Sequence, residues 1–244
     1  MGIEFAPLSG LGIIQLARLA ERWNSSYPVV EEKEALAPNL AQPGSLAFEF
    51  RSGVSPVRLW LHAEDQGFLV QVQHDRLILN WRATDGSDYP RFEALRAEFH
   101  RLWNDFSDHL VDNRIDPPIP IYTEFTYVNR IPLEGDEGPE FVIGLLKEPS
   151  VDIPGRATVT RFQFVREIDP SGTGFSGQVI LTGEPQVDDD ERAYVVTVAT
   201  RLSLTAGISE GALEASLDQA HIISSASFAA VTTPEIHDRW GRSA

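Results

Sequence analysis

Apolar positions along the chain change period several times, and each change marks an element. Ile13, Leu16, Ala17, Ala20 and Trp23 recur three or four residues apart, which predicts a helix with one buried face. A Pro-containing stretch from Tyr27 to Gly44 interrupts that period. Short runs rich in β-branched and aromatic residues follow at Leu46 to Arg51, Val57 to His62, Phe68 to Gln73 and Arg76 to Arg82. Gly53, Pro56, Asp65-Gln66-Gly67 and His74-Asp75 separate these runs as turns separate the strands of an antiparallel meander. Alternation is plainest at Phe68, Val70, Val72 and at Leu77, Leu79, Trp81.

After Asp85-Gly86 the helical period returns. Phe92, Leu95, Phe99, Leu102, Trp103, Phe106 and Leu110 line one side of a long helix, with Pro90 suited to its first position. Asp116-Pro117-Pro118-Ile119-Pro120 cannot continue it, because proline lacks an amide hydrogen and fixes φ, so we divide the chain into residues 1–115 and 116–244. In the second part Ile121 to Val128 reads as a strand and Glu140 to Lys147 as a short helix. Ala157 to Ile168, Gly177 to Thr182 and Arg192 to Leu204 read as further strands. Ser209 is the expected N-cap of a closing helix that buries Leu213, Leu217, Ala220, His221, Ser224 and Phe228, and Pro234 ends or restarts it. Both parts run in the same order: an extended piece ending in Pro7-Leu8 or Pro132-Leu133, a helix, three or four strands and a long helix. The expected fold class is therefore α+β, with two β-α-βββ-α-like halves related by internal duplication, antiparallel sheets carrying helices on one side, and the halves forming two domains or one continuous domain.

Composition removes whole classes of function. The chain has 20 Lys+Arg against 36 Asp+Glu, a formal charge of −16, which repels phosphate backbones and argues against nucleic acid as a partner. With no cysteine there is no disulfide framework, thiolate nucleophile or sulfur-based zinc site. Lys33 and Lys147 are the only lysines, and neither has the apolar setting that Schiff-base chemistry needs. The longest apolar stretches, Gly67 to Val72 and Leu77 to Leu79, fall far short of the roughly 20 residues that cross a bilayer, so no membrane association is expected. Met1-Gly2-Ile3-Glu4-Phe5-Ala6 has neither a basic signal region nor the Ser or Thr of a myristoylation site, and the expected location is cytoplasmic.

Several motifs are superficial. Gly172-Thr173-Gly174-Phe175-Ser176-Gly177 has the letters of a dinucleotide fingerprint, but it joins two predicted antiparallel strands and leads into Gln178-Val179-Ile180-Leu181, so a hairpin loop is expected. None of the six histidines is paired at metal-ligand spacing: His100 and His109, nine positions apart at about 100° each, fall on opposite faces of one helix. No metal, cofactor or assembled catalytic set is expected. Asp188, Asp189, Asp190 and Glu191 form an expected solvated hairpin tip, and the loop of Glu134, Asp136, Glu137 and Glu140 reads the same way. Together these loops concentrate negative charge that would steer a basic partner. The most unusual cluster is Arg76, Asn80, Trp81, Arg82, Tyr89 and Arg91, where arginines beside aromatic residues suit an anion or planar ligand in a pocket between the sheet and the long helices. The competing reading has Trp81 filling the core, Asn80 satisfying a turn and the arginines paired with carboxylates.

The stretch Gln71 to Arg82 and the segment Tyr89-Pro90-Arg91-Phe92 resemble a sporadically distributed prokaryotic family of about this length that has no assigned activity. The resemblance extends to Tyr127-Val128-Asn129-Arg130-Ile131-Pro132 and to the closing segment from Ala220-His221 through Phe228 to Thr233–Gly241. It departs at the start, where little precedes Phe5-Ala6-Pro7-Leu8, which implies a short leading strand. The resemblance implies no reaction, cofactor or catalytic residue, while a patchy distribution suggests defence, toxin–antitoxin or immunity genes. The resulting expectation is a non-enzymatic interaction protein, immunity- or defence-associated, that binds a basic protein through Asp188, Asp189, Asp190 and Glu191. The alternative is a small-molecule-binding protein or hydrolase that uses the arginine-aromatic cluster. A homodimer through exposed strand edges fits either.

Overall fold

The computed structural model describes residues 1–37, 57–84, 90–146, 161–188, 191–204 and 211–241. It comprises two compact units, Met1–Tyr122 and Thr123–Ala244, and both are α+β.

Unit 1 contains β1 (Gly2–Phe5), α1 (Ile13–Trp23), β2 (Val29–Glu34), β3 (Val57–His62), β4 (Phe68–Gln73), β5 (Arg76–Trp81) and α2 (Phe92–Asp112). The strand order is β2-β3-β4-β5-β1, and each neighbouring pair is antiparallel. The register sets Leu59, Val72, Leu77 and Ile3 in one cross-strand row and Leu61, Val70 and Leu79 in the next, all of them buried. These rows form the floor of a core whose roof is Leu16, Leu19 and Trp23 of α1 with Phe99, Leu102 and Phe106 of α2. The ring of Phe5 lies 5.4 Å from that of Phe106 and 6.0 Å from that of Trp103. Burying each such side chain contributes about 1.5–3 kcal/mol.

A charged network ties α1 and the turn after it to α2. Trp23 Nε1 donates to Asp105 at 3.2 Å and the Tyr27 hydroxyl donates to Glu98 at 2.6 Å. Arg101 bridges Glu98 and Asp105 at 2.6 and 2.8 Å. Burial, then the Glu98 carboxylate, pushes the Tyr27 hydroxyl well above the usual phenol range. Burial opposes ionisation of Glu98, but its bonds from Arg101 and Tyr27 prevail and hold it below the usual carboxylate range.

Unit 2 takes up the chain within β6 (Pro120–Pro132) and adds α3 (Pro139–Val142), a 3-10 turn at Gly144–Leu146, β7 (Phe162–Ile168), α4 (Pro170–Thr173), β8 (Gly177–Asp188), β9 (Glu191–Ser203), α5 (Ala212–Val231) and α6 (Pro234–Arg239). Its strands run in the order β6-β9-β8-β7, with β7–β8 and β8–β9 antiparallel. The core gathers Ile131, Val142, Ile143, Val179, Leu181, Tyr194, Val196, Val198 and Ile236, with Phe228 and Val231 of α5 against it. Burial, then Glu184, pushes the Tyr194 phenol up to about 12. Hydroxyls join α5 to the strands: Ser216 Oγ lies 2.5 Å from Thr123 Oγ1, and Ser224 Oγ lies 2.7 Å from Thr200 Oγ1 and 3.1 Å from the Phe125 carbonyl oxygen.

Several boundaries differ from expectation. Pro90 precedes the helix rather than opening it, because the N-cap Arg91 is extended at ψ 154 and α2 starts at Phe92. The stretch from Tyr27 to Gly44 contains β2, an edge strand whose exposed residues give no alternation to read. The closing helix has Gly211 as N-cap at φ 82, while Ser209 lies outside the described residues. Only Ser216, Leu217, Ala220 and Ser224 of α5 are fully buried; Leu213, His221 and Phe228 are half-buried. Pro234 restarts the chain as α6, capped by Thr233. The run Leu46 to Arg51 lies outside the described residues, as does the first part of Ala157 to Ile168.

Candidate anion site on the unit 1 sheet

The alternation that sends Leu59, Leu61, Val70, Val72, Leu77 and Leu79 toward the helices sends Arg58, Trp60, Gln71, Gln73, Arg76 and Asn80 to the opposite face. Register then brings distant residues level. Glu31, Trp60, Gln71 and Ile78 form one cross-strand row. In the next, Lys33 pairs with Arg58, and Gln73 pairs with Arg76, which pairs with Glu4.

Arg76 and Gln73 are satisfied. The Gln73 side chain is fully buried and reads the backbone of Leu36 in both directions: Leu36 N donates to its Oε1 at 2.9 Å, and its Nε2 donates to the Leu36 carbonyl at 3.1 Å. Nε2 also lies 2.7 Å from Asp75 Oδ1. Arg76, 5% exposed, pairs with Asp75, 3% exposed, at 3.1 Å and donates to the Ala37 carbonyl at 3.3 Å. Removing either partner would strand a buried charge.

Arg58 is different. Its Nη1 donates to Gln71 Oε1 at 2.9 Å and its guanidinium lies 5.3 Å over the Trp60 ring, yet its Nε is buried without an acceptor. Burial, then the charge of Arg76, pulls its pKa below that of an ordinary guanidinium. No carboxylate among the described residues is paired with it. The Nε1 of Trp60 is likewise buried without an acceptor. Lys33 Nζ sits 5.1 Å over the same ring while paired with Glu31 at 2.6 Å, and His62 packs edge-on against Trp60 at 6.1 Å. Two N–H groups without acceptors, one of them on an arginine that no described carboxylate pairs, suit an acceptor-rich anion such as a carboxylate or phosphate.

The five described residues of the arginine-aromatic cluster do not gather in one place. Arg76 and Asn80 share the polar face, whereas alternation turns Trp81 to the other side. Arg82 is exposed beyond the strand and donates to Gln66 through its carbonyl, at 2.9 Å, and its Oε1, at 3.0 Å. Arg91 is the exposed N-cap of α2, and Tyr89 lies outside the described residues. Sequence reasoning missed Arg58, Trp60, Gln71 and Gln73. The available signal was Arg58-x-Trp60-x-His62, a period-two set of large polar and aromatic residues interleaved with Leu59 and Leu61.

The fingerprint-like glycines belong to the β7–β8 hairpin. Asp169 caps α4 by accepting from Ser171 N at 2.7 Å, and Gly174 follows at φ 76, a conformation side chains disfavour. At Gly177 a Cβ would stand 2.9 Å from Leu202 Cα, too close to the facing backbone. His109 is buried in α2, where burial lowers its pKa, and His221 is half-buried with its ring 5.1 Å from that of Phe125.

The acidic loops are less free than expected. Arg239 pairs with Glu137 and lies 3.9 Å from Glu134, while Arg192 donates to the Gly135 and Glu137 carbonyls at 2.8 and 2.6 Å. This corrects the solvated reading for Glu137, which Arg239 draws in, whereas the Glu134 side chain stays 74% exposed as expected. Asp188 and Glu191 pair at the end of the β8–β9 hairpin, and exposed Glu191 lies 3.5 Å from Arg130. Asp189 and Asp190 lie outside the described residues. Among the described residues no group of three or more His, Asp or Glu side chains is placed to hold a metal ion, and no helix is long and apolar enough to cross a membrane. Comparison with protein-family models, curated proteins and solved structures returns no match.

Proposed function

We propose that this chain is a ligand-binding protein and that the polar face of its unit 1 sheet takes a small carboxylate or phosphate anion at Arg58 and Trp60. One observation carries the reading: Arg58 and Trp60, in contact through the guanidinium 5.3 Å over the ring, each keep a buried side-chain N–H without an acceptor. Buried donors are rarely left unmatched, and a bound anion would match both. Calorimetric titration with inorganic phosphate and with succinate tests it. Saturable binding of one of them is expected, weakened roughly ten- to hundredfold in Arg58→Gln by loss of a charged hydrogen bond, and unchanged in Arg82→Gln, whose guanidinium is held by Gln66 beyond the strand. Absence of binding by both anions, or equal binding by Arg58→Gln, sinks the reading.

A second reading, a basic protein partner for an immunity- or defence-associated factor, is favoured by one feature. Asp188 and Glu191 stand opposite one another in the backbone register at the end of an antiparallel ladder, which sets two acidic residues level beside Asp189 and Asp190 of the sequence. A partner retained from the native host at physiological salt, and released by Asp188→Asn with Asp189→Asn and Asp190→Asn, would support it; retention by that triple variant removes it. Membership of the sporadic prokaryotic family and a cytoplasmic location belong to the same proposal. We also infer an internal duplication. The strand orders β2-β3-β4-β5-β1 and β7-β8-β9-β6 support it, since in both the unit's opening strand sits beside its last one.

A further inference from the structure

We propose that β7 is a homodimerisation edge, joining a second copy of this chain by antiparallel pairing on a two-fold axis through Val165. The inference is independent of the anion site. Among the described residues β7 pairs with β8 alone and ends the strand order. Its centre is apolar and open, with Phe164 43% and Val165 41% exposed. A groove of about 530 Å³ runs beside it, walled by Phe164, Val165 and Arg166 on one side and by Ala226 and Ala230 of α5 on the other. The groove reaches Leu181 of β8, the cross-strand partner of Phe164, so it lies between α5 and the end of the sheet, and the outer side of β7 beyond it has no partner strand among the described residues. What lies open there is a backbone able to take another strand.

The sequence of β7, Phe162-Gln163-Phe164-Val165-Arg166-Glu167-Ile168, is complementary to itself. About an axis through Val165, Phe164 meets Arg166, Gln163 meets Glu167 and Phe162 meets Ile168 of the other copy. These are cation–π, amide–carboxylate and apolar pairs, with no like charges opposed. On the occupied side Glu167 already makes the same kind of contact, accepting from Gln178 Nε2 at 2.8 Å. Moving the axis to Arg166 would oppose two guanidiniums, and moving it to Phe164 would leave Ile168 unpaired. A self-complementary patch repeated on both copies is what a two-fold interface requires.

Sedimentation velocity of the full chain at physiological salt is expected to give twice the mass of a single chain. Val165→Glu and Val165→Lys, changes at a half-exposed position, should each sediment as monomers, and an equimolar mixture should return to the dimer. The chain has no cysteine, so Val165→Cys supplies a lone thiol; facing Cβ atoms about 4.5–5.5 Å apart should be captured as a covalent dimer by oxidised glutathione. Val187→Cys, exposed on β8, should not be captured. A wild-type chain that stays monomeric, because another segment covers the edge or a different partner is needed, overturns the proposal. So do charge variants that remain dimeric, a mixture that remains monomeric, or Val187→Cys crosslinking as well as Val165→Cys.

Discussion

Carboxylates and an arginine join the helical layer of unit 1, whereas hydroxyls join the long helix of unit 2 to its strands. The first network, Trp23–Asp105–Arg101–Glu98–Tyr27, lies at the margin of the helix pair, where charged groups keep part of their water. The second, Ser216–Thr123 and Ser224–Thr200, is fully buried. A charge there would lose its hydration with nothing to replace it, and a hydroxyl loses far less. One architectural task is thus met by titratable chemistry in one unit and by non-titratable chemistry in the other.

The largest test of that contrast is Phe106→Ala. Emptying the space of a fully buried ring should cost about 3–5 kcal/mol. Hydrogen exchange should show the loss in the amides of unit 1 first; equal loss of protection in unit 2 would show that the two open as one block and break the comparison. Next comes Ser224→Ala, which leaves the buried Thr200 hydroxyl short of a partner and should cost about 1–3 kcal/mol in urea denaturation, with no dependence on salt. Tyr27→Phe removes one partly buried hydrogen bond and should cost about 1 kcal/mol. Because Glu98 titrates below its ordinary 4.5 in the fold, its contribution is complete above 4.5 and is lost as pH falls through its folded value; Tyr27→Phe should shrink that acid-side loss.

The smallest effect concerns His109. Burial lowers its folded pKa from 6.5, so the unfolded chain takes up the proton first and stability declines as pH falls below 6.5. His109→Gln should flatten that part of a chemical-denaturation profile. An unchanged slope would remove His109 from the list of groups that make unit 1 sensitive to pH.

Most elements were legible because their apolar period is set by the core they face: α1, α2 and β3 to β5 lie where alternation or helical spacing puts them. β2 was not, since Val29 to Glu34 form an exposed edge held by backbone pairing to β3, which leaves no mark on side-chain pattern. The arginine-aromatic cluster looked continuous in sequence, yet strand alternation separates Trp81 from Arg76 and Asn80. The candidate site was hidden for the opposite reason. Arg58 and Gln71 are 13 residues apart and meet only across the β3–β4 register.

Sequence alone determined the charge of −16, the absence of cysteine chemistry, the α+β class and, in β3 to β5, which residues share a face. Tertiary structure decided which of two arginines is matched: Arg76 has Asp75 beside it, and Arg58 has a tryptophan and a glutamine. That choice depends on cross-strand register, where a slip of one residue turns every side chain to the other face. Local pattern carries the period of a strand, but the neighbour it meets is set by long-range pairing and burial.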